Sequence, residues 1–209
     1  MNERQRRAWV FVGCAMGLSW SYWGVLLALG LRVEAAGGAD HPWVTHLPGL
    51  LGPALAAVVT ARCFGGPGAG AAFLRRAWAH WPRPAWRGWV MALSPLGMGA
   101  ALWCAWSLAG QPLPQSSAFW YFPGLPAQWG PWAVTLAVVL VNGVGEELGW
   151  RGYLTELLLQ DHSRWATTWW VVLAWMLWHL PLFWLNESMA ALVGPMLLGW
   201  ALGLACGAF

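Results

Sequence analysis

Asn142-Gly-Val-Gly-Glu146-Glu147-Leu-Gly-Trp-Arg151-Gly-Tyr-Leu154 is the stretch whose reading decides the fold. It stands late in an apolar run that begins near Trp132, so Glu146, Glu147 and Arg151 fall where the hydrocarbon of a bilayer is expected. A charge there costs at least a few kcal/mol, and an ionisable residue inside a span marks a functional site by default. Glu147 and Arg151 are spaced i, i+4 with the acid first, the favourable order for a pair on one helix face. Glu146 points about 100° away from Glu147, at about 3.6 residues per turn. The expectation is that Arg151 neutralises Glu147 as a buried pair, leaving Glu146 to meet a neighbouring helix.

The rest of the chain supplies the setting. Of its 209 residues 59% are hydrophobic and 9% are charged, against about 25% charged in soluble domains. That composition indicates a membrane protein folded as one domain. The net charge of +3 comes from eleven arginines and no lysine. They cluster in short loops, so they report topology and argue against a nucleic-acid partner. Cys14, Cys63, Cys104 and Cys206 have neither the spacing of a metal knuckle nor the density of a disulfide framework. They read as small core residues.

Arg4, Arg6 and Arg7 precede a run from 8 to 31 that is too long for a signal peptide and long enough to span. Further spans are expected at about 43–61, 88–110, 132–159, 165–185 and 190–209. The connection after the second span holds Arg62, Arg75, Arg76, Arg83 and Arg87 and no acid, which places it in the cytoplasm. Within it, 71–87 interleaves arginine with tryptophan and reads as an interfacial element. Residues 111–131 carry no charge and five prolines, as a non-cytoplasmic loop would. The fold class is therefore all-α: a polytopic transmembrane helix bundle of about six spans, N-in and C-in, sitting among membrane lipid.

A second polar position lies in Trp175-Met-Leu-Trp-His179-Leu-Pro181. Pro181 cannot donate to the carbonyl of Leu177, so the helix is expected to open beside His179. The short connection from Gln160 to Arg164 makes the fourth and fifth spans antiparallel neighbours. Glu146 and His179 then lie within about one turn, roughly 5.4 Å, of their helix centres. They should approach within about 4–7 Å and open onto a polar cavity, close enough to share a water. Gly143, Gly145 and Gly149 would permit that approach. A carboxylate so placed can act as general base towards an amide carbonyl. Equally, His179 could be a packing residue and Glu147–Arg151 a structural clamp. His41, His46, His80 and His162 read as non-catalytic, and Asn142 and Asn186 as supporting groups.

Glu146-Glu147-Leu-Gly-Trp-Arg151 resembles the Glu-Glu-x-x-x-Arg signature of the CAAX protease and bacteriocin-processing family of intramembrane proteases. Trp175-x-x-x-His179 is similar to that family's aromatic-x-x-x-His signature, with Trp in place of the usual Phe. The resemblance covers roughly 130–209. It implies a catalytic set of Glu146, Glu147, Arg151 and His179, in which Glu146 activates water, His179 positions it, and Glu147 and Arg151 shape the site. It implies a membrane-anchored peptide or protein as substrate. On the cofactor it leaves two mechanisms open, a divalent metal such as zinc and a metal-free glutamate. The family's third signature, His-x-x-x-Asn or His-x-x-x-Asp, has no counterpart after His179. The apolar ending at Phe209 reads as a C-terminal truncation, the alternative being a natural paralogue lacking half of its site, and a chain lacking that oxyanion-binding pair should be a poor catalyst.

The leading function is thus an intramembrane endopeptidase, inactive as it stands if the third signature is required. The lysine-free, Arg/Ala/Gly/Trp-rich composition points to a bacterial inner or plasma membrane. The alternative is a non-catalytic membrane binding, immunity or scaffold protein. A small transporter using Glu146 and His179 as a proton relay is the third reading, and it lacks the repeated halves of that class.

Overall fold

The computed structural model describes residues 1–33, 44–79, 104, 107–110, 125 and 129–186. Most of the expected third span and all of the sixth lie outside them, as do residues 80–87 of the interfacial element, His41, His80 and Cys206. Every regular element among the described residues is helical. Among the described residues four stretches are long and apolar enough to cross a membrane: Glu3–Ala28, Leu47–Gly65, Trp132–Leu158 and Arg164–Leu185. They fall at the first, second, fourth and fifth of the expected spans.

Helix α1 (Glu3–Ala28) opens on a capping box. The Asn2 side chain accepts from the Gln5 N–H at 2.8 Å, and the Gln5 side chain accepts from the Asn2 N–H at 3.0 Å. Two donors left open by the helix start are thereby satisfied, so the helix begins within the arginine segment, ahead of the expected span. Phe11, Ala15, Ser19, Trp23 and Leu26 form its buried face, three or four residues apart as one stripe of an α-helix must be. That stripe packs on α3 (Gly52–Gly65), which the single turn α2 (Leu47–Leu50) precedes. Pro48 and Pro53 sit at the starts of α2 and α3, where a missing N–H costs nothing. The approach is tight: a Cβ added at Gly52 would lie 2.0 Å from Ser19 Oγ.

After α4 (Ala69–Ala79), the long helix α5 (Trp132–Leu158) carries the acidic stretch. It is not α-helical throughout. Val139–Val144 and Trp150–Thr155 are π-helical, and between them lies an α segment, Gly145–Gly149. Single π turns inside α-helices are frequent at functional sites. Helix α6 (Arg164–Trp178) starts at Ser163, whose side chain accepts from the Ala166 N–H, and packs against the second π segment of α5. It stops at Trp178, and α7 (Leu182–Leu185) follows Pro181.

The break at Pro181 is stabilised from α1. Leu182 N–H donates to His179 O at 2.9 Å, which leaves the Trp178 carbonyl without its helical donor. Trp20 Nε1 fills that place at 2.9 Å. In a bilayer, backbone groups freed by a proline need such a substitute.

Contacts between elements define two ends of the bundle. At one, Asn2 and Arg4 bond to Asp161, and the guanidinium groups of Arg6 and Arg7 lie over the Phe64 ring at 5.4 and 5.3 Å. At the other, Val33 N–H donates to Leu185 O at 2.8 Å, and Arg32 donates to Trp184 O. Trp9, Val25, Leu55, Leu136, Trp169 and Trp184 are exposed, as the outer surface of a membrane bundle requires. The reading of the cysteines as core residues is corrected: Cys63 and Cys104 are exposed and Cys14 is half-buried.

Candidate active site

The core beneath the site is a column of aromatic rings. Phe73 meets Tyr153, Tyr153 meets Phe11, and Phe11 meets Trp150 edge-on at 5.4 Å. Trp150 packs on Trp178 at 5.8 Å, and Trp178 on Trp23 at 5.1 Å. Buried indoles need their N–H groups satisfied. Trp23 Nε1 donates to His46 O at 2.9 Å, and Trp178 Nε1 to Ser19 Oγ at 2.7 Å. Ser19 Oγ in turn donates to Gly49 O at 2.7 Å. The column fixes the level at which α6 ends, and hence where His179 sits.

Glu146 comes from the α segment of α5 and is 8% exposed, while His179 caps α6 and is 4% exposed. Trp175 links them. Its Nε1–H donates to Glu146 Oε2 at 2.9 Å, and its carbonyl lies 2.7 Å from His179 Nδ1. A carbonyl only accepts, so Nδ1 carries the proton and Nε2 of a neutral ring keeps its lone pair. The Trp175 and His179 rings also meet edge-on, with centroids 4.3 Å apart. Glu146 Oε1 and His179 Nε2 take no part in these bonds.

Glu147 and Arg151 form the expected i, i+4 ion pair, but their side chains are 49% and 65% exposed. The expectation of a buried pair is therefore corrected. Both line a cavity of about 800 Å³ together with Phe73, Arg76, Gly143 and Glu156. Four charged side chains line this cavity among mostly apolar groups, and it is the acid beside Glu146 that reaches it; Glu146 and His179 themselves are buried. The role assigned to the glycines also changes. A Cβ at Gly149 would lie 2.5 Å from the Pro53 backbone, and one at Gly145 3.0 Å from Leu50 O, whereas Gly143 meets nothing within 4 Å. The small face thus receives α2 and α3, not α6.

His46, set aside on sequence grounds, is 5% exposed and within electrostatic reach of His179. Its only sequence signal was a place beside Pro48 at a helix start. The indole donor to Glu146 was also missed; its signal was the tryptophan standing where the related signature has phenylalanine. Asn186 is buried at the end of α7, where it bridges Val33. The side chain of Asn142 lies outside those described. Among the described residues no three His, Cys, Asp or Glu side chains gather as ligands. The described donors, one carboxylate and one imidazole nitrogen, fall short of the three protein ligands usual for a catalytic zinc.

An all-helical membrane protein in which a buried carboxylate on one helix is linked through a tryptophan to a buried imidazole at the end of the next is the class these features define. Residues 128–207 match the family model described as Rce1-like: type II CAAX prenyl endopeptidase Rce1-like. The match includes both signatures and bears out the resemblance to the CAAX protease and bacteriocin-processing family. Comparison with curated proteins and with solved structures returned no match.

Proposed function

We propose that this chain is an intramembrane endopeptidase of the CAAX-protease type, hydrolysing a peptide bond of a membrane-anchored peptide or protein. The observation that carries the reading is the link through Trp175, which joins Glu146 and His179 from the two signatures into one buried unit. Glu146 takes a proton from a water held between its Oε1 and His179 Nε2. The water oxygen attacks the amide carbonyl, the C–N bond breaks, and the proton passes from Glu146 to the leaving amine. Glu147 and Arg151 shape the cavity through which the peptide approaches. The arginine-bearing end of the bundle, with Arg4, Arg6 and Arg7, faces the cytoplasm, and the membrane is a bacterial inner membrane.

The test is cleavage, in proteoliposomes, of an internally quenched peptide ending in a farnesylated Cys-aliphatic-aliphatic-X sequence. The native chain should release the product, and Glu146→Gln and His179→Ala should each lose at least about a hundredfold, the lower end of what a general base contributes. Equal rates for the native chain, Glu146→Gln and empty liposomes would leave the non-catalytic binding protein as the better reading.

A further inference from the structure

We propose that Trp175 is a positioning residue whose indole N–H aims the Glu146 carboxylate, so that tryptophan rather than phenylalanine is needed at the aromatic position of the second signature in this chain. The proposal rests on Glu146 being the general base.

A carboxylate removed from solvent needs hydrogen-bond donors. Among the described residues, the one that donates to Glu146 is Trp175, at 2.9 Å to Oε2. Pinning one oxygen fixes the plane of the carboxylate and thus the direction in which Oε1 presents its lone pairs. The donor is itself held in place. The Trp175 ring lies against the His179 ring at 75° between planes, and the Trp175 carbonyl accepts from His179 Nδ1. Trp175 and His179 are four residues apart, on one face of the helix end. Trp175 therefore sets the orientation of the acid through its side chain and the tautomer of the histidine through its backbone. Phenylalanine would keep the carbonyl and lose the donor together with the second ring of the indole, whereas the sulfur isostere keeps the ring shape and loses only the donor. Glu146 would then retain its place on α5 but not its aim.

The experiment compares the native chain with Trp175→Phe and with a chain carrying benzothienylalanine at position 175, an isostere in which sulfur replaces the indole N–H. With the farnesylated quenched peptide, kcat should fall by about ten- to a hundredfold, the scale of a small misplacement at the reacting centre. In the isostere KM should stay unchanged, because neither ground-state binding nor packing is altered. Native kcat in both variants, with Glu146→Gln inactive, would overturn the proposal and leave the hydrolytic reading standing. If Glu146→Gln cleaves like the native chain, the hydrolytic reading itself fails. The contact is read without substrate by infrared spectroscopy of protein labelled with 13C-glutamate, the Glu146 band being assigned by difference with Glu146→Gln. That band should move in Trp175→Phe and in the isostere; a band that stays in place in both overturns the proposal.

Discussion

Glu146 and Glu147 are adjacent in sequence and opposite in setting. Glu147 and its partner Arg151 are half-exposed beside the cavity, where breaking the pair costs less than in a buried place, about 0–1 kcal/mol at a water-exposed surface. A buried pair would make Glu147→Gln the more damaging change, because Arg151 would be left unpaired in the interior. The structure reverses the order of interest. Glu147→Gln should shift thermal unfolding in detergent by little. Glu146→Gln removes a charge from a buried place while its amide oxygen can still accept from Trp175, so it should unfold no earlier than the native chain. A large loss of thermal stability in Glu147→Gln would return the pair to the low-dielectric interior. That these acids differ was legible from their 100° separation; which of them meets solvent depends on what packs on α5, and a single helix does not encode its neighbours.

Gly149 is held against the Pro53 backbone at a distance no side chain tolerates, whereas Gly143 has open space. Gly149→Ala must push α5 away from α3 and should cost about 1–3 kcal/mol, as overpacking does. Gly143→Ala should leave the unfolding temperature unchanged or raise it slightly. Parallel melting curves of the two variants check the contrast, and equal losses would show that helix propensity and not contact governs both. The sequence displayed the glycines plainly, and small residues at i, i+4 signal a close helix approach. It could not say which helix approaches. The end of α6 was legible as well, since Pro181 removes a donor, but the repair by Trp20 from α1 is a long-range contact that local reading does not reach.

At the scale of the molecule, the connection between α5 and α6 and the beginning of α1 meet at one end, through Asn2, Arg4 and Asp161. Cysteines introduced at Asn2 and Asp161, in a background with Cys63 and Cys104 replaced by alanine, should therefore label together. A membrane-impermeant thiol reagent applied outside should reach neither until the bilayer is opened. Labelling of one and not the other in intact cells would contradict the shared face. The apolar runs made four crossing helices legible because hydrocarbon sets their length directly. Their mutual packing was less so. Trp23, Trp150 and Trp178 form the buried centre of the bundle, where Trp178 bonds to Ser19 and Ser19 to Gly49.

The two π turns of α5 have a consequence for insertions and deletions. A π turn is what an α-helix becomes when one surplus residue is absorbed without rotating its flanks. Val139–Val144 and Trp150–Thr155 are thus two places where the helix holds a spare residue, and Gly145–Gly149 between them holds none. Losing one residue from either π segment should relax it to α geometry and leave Glu146 directed at Trp175. Losing Gly145 from the α segment would turn the carboxylate by about 100° away from its indole. Length variation along α5 should be accepted at both flanks of the acid and refused at the acid itself.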